Sequence, residues 1–296
     1  MIGAVVRGEG PLDPSPHLAQ LGRVGAIRFR GFDVPDLDAF ATVVRAAGAP
    51  LPYDFGSSPR TAAGAGVYTS TDYPPAETIP QHHEMSYTAD WPRLLWMWCA
   101  VPATHGGETP LADGSSVYAR LPASLRRRWE AKGIRYVRNF TGDLDLPWQR
   151  AFETDDRAEL ERRIAARGLR AEWRGREHLR TSEIRPATLE HPVHGPVWFN
   201  QAHLFHPSSL PEEVREAMLD LFAPDDLPRT ATFGDGTPLP EDDLAEVRLA
   251  FDAETVSEPW TEAEVVVVDN TWVTHGRRPF RGPRRVYVAM THGERS

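Results

Sequence analysis

The sequence has a single cysteine, Cys99, among its 296 residues. One thiol excludes an internal disulfide framework and agrees with a reducing compartment. The apolar run around it, from Leu94 to Val101, is too short to span a bilayer and predicts a buried strand, in which a thiol is unreactive. A charged start followed by an apolar signal segment is also missing at the N-terminus. The sequence therefore predicts a cytoplasmic protein.

Internal repeats, tails of like charge and a glycine-rich nucleotide loop after a strand are absent as well. The formal net charge of -9 argues against a nucleic-acid or membrane partner, because phosphate-rich surfaces require clustered positive charge. The hydrophobic fraction of 41% and the charged fraction of 25% are typical of soluble globular proteins. A small molecule or another protein remains as the partner.

The length and the lack of biased segments predict one domain over residues 1–296. We expect an irregular lead-in over residues 1–24 and a helical and loop insertion over about 115–260. Strands are predicted at 26–30, 197–199, 264–268 and 285–289, and helices at 36–44, 151–168 and 211–222. Short strands with long Pro- and Gly-rich connections favour a β-rich jelly roll with flanking helices, a double-stranded β-helix of the cupin type. A doubly wound parallel sheet fits less well.

The segment Gln81-His82-His83-Glu84 carries the first sign of chemistry. On an extended strand alternate side chains share a face, so His82 and Glu84 are predicted to project together, with His83 on the other face. An imidazole and a carboxylate so placed can occupy neighbouring positions around a metal. Taken alone, the pair is a weak signal, because His-x-Glu often arises by chance and is more typical of a solvated pair on an edge strand.

A second segment strengthens the metal hypothesis, because His275 follows a valine-rich strand and stands beside a glycine. Two histidines and one carboxylate form the facial triad of non-haem iron(II), which leaves three coordination positions open. We therefore predict that His82, Glu84 and His275 bind Fe(II).

These segments resemble the taurine dioxygenase (TauD/TfdA-like) family of iron(II)- and 2-oxoglutarate-dependent oxygenases. The resemblance is to the members with a His-x-Glu pair, such as clavaminate synthase, and to the amino-acid hydroxylases of natural-product assembly lines. It covers most of the chain from about residue 25 onward. The stretches that carry it are 68–74, 82–87, Gly106-Gly107-Glu108-Thr109-Pro110, 197–201 and 269–277.

The resemblance implies a cosubstrate site for 2-oxoglutarate. Arg285 matches the family arginine that pairs with the distal carboxylate, and its planar fork suits bidentate binding. Its neighbour Arg284 could do the same on sequence alone, and Arg285 is preferred because it stands second in the Arg-Arg-apolar pattern. Thr109 matches a family threonine that bonds the same carboxylate.

The implied activity is hydroxylation of an unactivated C–H bond with 2-oxoglutarate and O₂ as cosubstrates and succinate and CO₂ as products. Desaturation, epoxidation and cyclisation use the same iron site and stay open. The implied substrate is an amino acid or a compound derived from one, either free or tethered to a carrier protein. Tyr68, Arg138 and Asn200 are candidates for contacting it, each equally compatible with a structural role.

Other interpretations remain at this point. The same three ligands could serve a metal-dependent hydrolase, which would need no arginine for a dicarboxylate, or Glu84 could pair with a base in a non-catalytic jelly-roll binding protein. The irregularly spaced histidines His191, His194, His203 and His206 favour structural or surface roles over a second metal site.

Overall fold

A computed structural model of the protein describes residues 2–53, 60–70, 73–142 and 147–293. Within these ranges the chain is a mixed α/β protein. Its strands, in chain order, are β1 (Ala4–Arg7), β2 (Ala26–Arg30), β3 (Ala62–Gly64), β4 (Val67–Thr69), β5 (Ile79–His82), β6 (Leu94–Val101), β7 (His105–Gly106), β8 (Leu111–Asp113), β9 (Ile134–Phe140), β10 (Arg170–Arg174), β11 (His178–Arg185), β12 (Thr188–His191), β13 (Gly195–Trp198), β14 (Arg229–Phe233), β15 (Val265–Asp269), β16 (Val273–Arg277), β17 (Phe280–Arg281) and β18 (Arg285–Thr291).

The helices are mostly short. In chain order they are α1 (Ser15–Leu18), α2 (Leu21–Val24), α3 (Leu37–Arg45), α4 (Gly114–Arg120), α5 (Ala123–Lys132), α6 (Trp148–Ala151), α7 (Arg157–Ala166), α8 (Ala202–Phe205), α9 (Glu212–Leu221) and α10 (Glu241–Glu254). Across the described ranges, every helix is too short or too polar to cross a membrane.

A seven-stranded sheet in the order β1-β2-β15-β6-β18-β4-β3 forms the main wall of the molecule. Only β1 and β2 pair in parallel, and the other neighbours are antiparallel. All of β15 is buried, because β2 and β6 flank it and both faces of the sheet are covered at this strand. This explains why its sequence is a run of valines rather than an alternation of apolar and polar residues.

The two faces of β6 divide the core. Trp98 packs on one face against Phe40 of α3, with ring centroids 5.9 Å apart. The α3 helix begins where the Asp36 carboxylate accepts a hydrogen bond from the backbone of Ala39. Met97 and Cys99 point to the opposite, inner face. Burial raises the pKa of the Cys99 thiol to about 12, as expected for a structural cysteine.

A three-stranded antiparallel sheet in the order β5-β16-β8 packs against this inner face. Leu111 of β8 and Val273 of β16 share a buried cluster with Leu95 and Met97 of β6. The two sheets therefore face each other across an apolar layer, and this layer is the floor of the site described below.

The insertion predicted as helices and loops over about 115–260 also contains a four-stranded antiparallel sheet, β10-β11-β9-β14. The sequence did not predict β10 because it is polar on both faces and largely exposed, so apolar alternation is lacking. The lead-in over 1–24 is likewise more ordered than predicted. It contains β1, α1 and α2, and β1 extends the main sheet.

The other predicted elements are confirmed, with ends shifted by a few residues. The strand prediction at 26–30 corresponds to β2, and those at 264–268 and 285–289 correspond to β15 and β18. The predicted strand at 197–199 overlaps β13, and the helices predicted at 36–44 and 211–222 correspond to α3 and α9. The helix predicted over 151–168 is shorter in the structure, because α6 ends at Ala151 and α7 covers only Arg157–Ala166.

A buried ion pair fastens β2 to the turn before β15. Glu264 has no exposed side-chain surface, and its two carboxylate oxygens lie 2.9 Å from Arg28 Nη1 and 3.1 Å from Arg30 Nε. Thr261 donates two further hydrogen bonds to the same carboxylate. Two arginines and Thr261 thus surround the carboxylate, which offsets the cost of burying its charge.

We expect Glu264→Ala to lower the free energy of unfolding by about 3–5 kcal/mol, because it leaves the buried Arg28 guanidinium with only the half-exposed Glu258, at 3.9 Å, as an anion. Urea denaturation followed by circular dichroism measures this change. Glu258→Ala is the matched control, since Glu258 contacts the same arginines but is about half exposed, and it should cost less than about 1 kcal/mol. Equal effects would contradict the assignment.

Candidate metal centre

The two predicted histidine ligands are neighbours across a pair of strands. His275 of β16 lies directly opposite His82, the last residue of β5, in the antiparallel register, and a bulge follows between His275 and Arg277. Directly opposed residues in such a pair have Cβ atoms about 5 Å apart. The two rings accordingly face each other with centroids 4.3 Å apart. Strand pairing alone therefore joins two ligands that are distant in sequence.

Glu84 reaches the same place by a different route from the one predicted. The strand ends at His82, so Glu84 lies beyond it in a turn, beside Met85, which has a positive φ of 56°. The fully buried Asn270 side chain fixes this turn. Asn270 Oδ1 accepts from the Glu84 backbone nitrogen at 2.6 Å, and its Nδ2 donates to the Glu84 carbonyl at 3.0 Å. The expected extended strand is thus replaced by an asparagine clamp.

His83 lies on the other side of the chain from the two ligands, as predicted. It is completely buried against Phe199, and its Nδ1 lies 2.7 Å from the backbone oxygen of Asn270. Burial lowers the pKa of His83 to about 3, so the ring is neutral. Its role is to tie the turn that carries Glu84 to the segment before β16.

His82, Glu84 and His275 each place one ligand atom within 4.8 Å of the others, and they form the one such cluster found in the described part of the chain. His275 Nε2 lies 3.4 Å from Glu84 Oε2. His82 Nδ1 lies 2.9 Å from the Pro80 carbonyl, which accepts its proton and leaves Nε2 as the free ligand atom. Two imidazoles and one carboxylate at this spacing fit Fe(II).

The electrostatics of the triad favour a bound cation. Burial lowers the pKa of His82 to about 3, which keeps its imidazole in the neutral form that binds a metal. Burial alone would raise the pKa of Glu84, but the charge of Arg60 and the hydrogen bond to His275 outweigh it and hold the pKa below its ordinary value. The carboxylate is therefore ionised.

A pocket opens beside the triad between the two sheets. Its apolar wall comes from Met97 of β6 and from Val286 and Val288 of β18. The remaining lining is mostly polar and includes three arginines. In chain order it comprises Arg60, Ser70, Ile79, His82, Thr109, His275, Gly276, Arg277 and Arg284. Of these residues, Thr109 was predicted for the cosubstrate.

Thr109 is buried in this pocket, two residues before β8, the strand that pairs with β16 beside His275. Its Oγ1 accepts a hydrogen bond of 3.1 Å from Trp260 Nε1. Because the indole can only donate, the threonine hydroxyl proton stays free to donate to an anion in the pocket.

Arg284, rather than Arg285, enters the pocket. Arg284 is mostly buried and donates from Nε to the Gly107 carbonyl at 2.9 Å, while the side chain of Arg285 is exposed and does not line the pocket. Arg284 immediately precedes β18, and the ladder between β18 and β6 is irregular between Arg285 and Val286. Burial and the neighbouring charge of Arg277 lower the pKa of Arg284 to about 10, so it is cationic at neutral pH.

The Gly106-Gly107 pair makes room for this arrangement. A Cβ on Gly106 would lie 2.2 Å from the Pro279 carbonyl oxygen, and one on Gly107 would lie 3.0 Å from Arg284 Cδ. Both glycines have positive φ, near 70°. The glycines allow β7 to approach β17 closely, and the chain then carries Thr109 into the pocket.

The three residues predicted to contact substrate lie outside this pocket lining. The hydroxyl of Tyr68 accepts from the Tyr53 backbone. The amide of Asn200 bonds the backbones of Ala187 and Ala202, a structural use of both its ends. Arg138 lies on β9 in the insertion sheet. Of the stretch at 68–74 that carried the resemblance, Thr71 and Asp72 lie outside the described residues.

The four other histidines considered as a second cluster have separate structural surroundings. The rings of His191 and His194 stack with each other, and that of His194 stacks on Trp272. His203 Nε2 lies 2.9 Å from the Gln81 carbonyl, and His206 caps a short helical turn through Ser208. These contacts confirm the prediction of structural roles.

Arg60 is a residue of the site that the sequence did not indicate. Its side chain is only 6% exposed, and its Nη2 lies 2.9 Å from Glu84 Oε2. In the sequence it follows a stretch rich in Pro, Gly and Ser and precedes β3, and no local pattern there marks a functional arginine. Asn270 lies in the stretch 269–277 that carries the family resemblance, but its hydrogen bonds to Glu84 are visible only in the structure.

Comparison with known proteins places this site in context. The family model described as Taurine catabolism dioxygenase TauD, TfdA family, matches residues 10–290. The dapdiamide synthesis protein DdaC of Enterobacter agglomerans is 39% identical over 272 residues, which cover 91% of this chain and 83% of that protein. A clavaminate synthase-like protein of Arabidopsis thaliana is 34% identical over 279 residues, covering 90% of this chain and 81% of that protein.

The fold is also similar to that of a solved asparagine oxygenase. That structure contains Fe(II), 2S,3S-3-hydroxyasparagine and succinate. It aligns with a TM-score of 0.52 at 15% identity, covering 93% of this chain and 78% of that chain. At this level of sequence identity, the similarity shows a shared fold and nothing further.

We expect Arg60→Met to bind Mn(II) roughly tenfold more tightly than the wild-type protein. The guanidinium and the metal compete for the same carboxylate oxygen, and losing a charge-assisted hydrogen bond worth about 1.5 kcal/mol corresponds to such a factor. Electron paramagnetic resonance of free Mn(II) gives the dissociation constant. Glu84→Gln, the control for the ligand itself, should bind at least tenfold more weakly. An Arg60→Met protein with unchanged or weaker affinity would contradict the competition.

Proposed function

The chain belongs to the TauD/TfdA family and is an Fe(II)- and 2-oxoglutarate-dependent dioxygenase, and from this premise we propose that it hydroxylates an unactivated C–H bond of an amino-acid-derived small molecule. The observation that carries the proposal is the triad of His82, Glu84 and His275 beside a pocket that contains an arginine and a threonine suited to a dicarboxylate. Succinate and CO₂ are the expected coproducts.

We propose Arg284 and Thr109 as the pair that binds the distal carboxylate of 2-oxoglutarate. With Nε held by Gly107, the two terminal nitrogens of Arg284 are the part of the guanidinium left for an anion, and two parallel hydrogen bonds give the strongest geometry. The free hydroxyl proton of Thr109 adds a third donor. This proposal replaces Arg285, which the sequence favoured.

The remaining tasks of the site fall to residues of this chain. Bound Fe(II) supplies the activation of O₂ and the oxidation of the C–H bond. His82 and His275, whose rings are fixed by strand pairing, would hold the metal together with Glu84, whose carboxylate would offset part of its charge. The apolar wall of Met97, Val286 and Val288 excludes water from the reacting carbon.

The substrate class rests on the relatives. One relative is named for dapdiamide synthesis, one is clavaminate synthase-like, and one solved structure of the same fold contains a hydroxylated asparagine. These names favour a substrate with an amino-acid framework, free or tethered to a carrier protein. We further propose that the seven-stranded and three-stranded sheets form a double-stranded β-helix and that residues 1–296 are one domain.

The purified protein with Fe(II), 2-oxoglutarate and O₂ should form succinate slowly even without its substrate, because uncoupled decarboxylation needs only the iron and cosubstrate sites. Glu84→Ala should reduce succinate at least a hundredfold, measured by liquid chromatography and mass spectrometry. A folded Glu84→Ala protein that forms succinate at the wild-type rate would contradict the proposal.

Arg284→Gln should raise the 2-oxoglutarate concentration for half-maximal succinate formation by about tenfold to a hundredfold, since a hydrogen bond to a charged group contributes about 1.5–3 kcal/mol. The matched control is Arg285→Gln, which removes the same charge from the exposed neighbouring position and should change that concentration less than about twofold. The reverse ranking would restore Arg285 as the cosubstrate residue.

A further inference from the structure

Arg60 lines the pocket and is charged, but it is neither a metal ligand nor one of the residues proposed to bind 2-oxoglutarate. Its Nη2 contacts Glu84, and its guanidinium carbon lies 4.4 Å from the centroid of the Tyr53 ring, which covers one face of the group. It lines the same pocket as His82 and His275. The guanidinium therefore lies directly beside the metal ligands.

Most of this guanidinium lacks a hydrogen-bond partner. Arg60 Nε and Nη1 are both buried, and neither has a partner within the described structure. Buried polar groups are normally paired, because an unpaired donor away from water costs about 1–3 kcal/mol. A guanidinium so placed has the free donors and the planar shape to bind a carboxylate.

The charges of the pocket point to the same kind of ligand. Among its described lining residues, Arg60, Arg277 and Arg284 are cations, and the adjacent Glu84 is the one carboxylate of the triad, so these four side chains sum to +2. Fe(II) and 2-oxoglutarate carry equal and opposite charges and leave that sum unchanged. Arg277 is occupied by the carbonyls of Tyr73, Pro74 and Glu77. Arg60 is then the cation that still requires an anion.

Metal binding would also weaken the contact between Arg60 and Glu84. A divalent ion on Glu84 would share the carboxylate that Arg60 contacts and would bring a second positive charge close to the guanidinium. Arg60 would then need a further anion to offset the cost of its burial. A carboxylate that enters beside the metal would satisfy it.

We propose that Arg60 binds a carboxylate group of the organic substrate and so holds the substrate next to the iron site. This inference rests on the proposed function and names the chemical class of its substrate: an anion with at least one carboxylate close to the oxidised carbon. Arg60 acts by positioning, and Tyr53 supports its plane.

The C1 carboxylate of 2-oxoglutarate is the other source of the same chemistry near the metal. Arg284 and Thr109 are already assigned to the distal carboxylate, so a role of Arg60 toward C1 would appear as weaker cosubstrate binding. The two sources therefore differ in whether the affinity for 2-oxoglutarate depends on Arg60.

The test uses the full chain loaded with Mn(II) and saturating 2-oxoglutarate, without turnover. The probes are N-acetyl-L-alanine and N-acetyl-L-alaninamide, which differ only in the carboxylate. Broadening of the acetyl methyl proton signal by Mn(II) reports binding close to the metal. We expect the acid to bind the wild-type protein at least tenfold more tightly than the amide, and to lose that advantage in Arg60→Met.

Arg60→Lys keeps the charge without the planar fork and should give an intermediate preference for the acid, which also covers the case in which Arg60→Met does not fold. The affinity for 2-oxoglutarate, measured by calorimetry, should change less than twofold in both Arg60 variants. The inference is overturned if the acid binds Arg60→Met and the wild-type protein equally, if the wild-type protein binds neither probe near Mn(II), or if Arg60→Met weakens 2-oxoglutarate as much as Arg284→Gln does.

Failure of the proposed function would look different. A wild-type protein that binds neither Mn(II) nor 2-oxoglutarate would remove the dioxygenase site and the Arg60 inference with it. A protein that binds both, but shows no carboxylate preference, would remove the Arg60 inference alone.

Discussion

The pairing of β16 with β5 is the constraint on which the iron site depends. It places His275 opposite His82. Asn270, just before β16, holds the turn that carries Glu84 through two hydrogen bonds. On its other edge β16 pairs with β8, whose approach carries Thr109. Strand β16 and the segment before it thus orient the three residues of the triad, and β16 pairs with the strand that follows Thr109. A shift of this strand by one residue would turn every one of its side chains to the wrong face.

Charge separates this site from the rest of the molecule. The chain carries a formal net charge of -9, yet the pocket is lined by three arginines. Each cation is buried to a different degree and needs a fixed partner: Arg277 has backbone carbonyls, Arg284 has Gly107, and Arg60 has Glu84. Such a positive pocket in an acidic protein attracts small anions specifically, and its low water content strengthens their binding.

The sequence was sufficient to predict the three metal ligands, because their residue types and order identify them even when the directions of their side chains are not known. It was not sufficient to predict that Arg284 rather than Arg285 lines the pocket, since two adjacent arginines have the same chemistry and differ only in direction. The same limit applies to Glu84, whose direction comes from an asparagine 186 residues away rather than from strand alternation. Arg60 gave no signal because its partner is also distant in the chain.

Fold prediction shows a similar division. Strands with buried apolar runs, such as β6 and β15, were recognisable from composition, whereas the polar strand β10 was not.

The most direct test of the account is anaerobic addition of Fe(II) and then 2-oxoglutarate, followed by visible absorption of the chelate. The account predicts a charge-transfer band in the wild-type protein that is absent in His275→Ala. A folded wild-type protein with no band would contradict it.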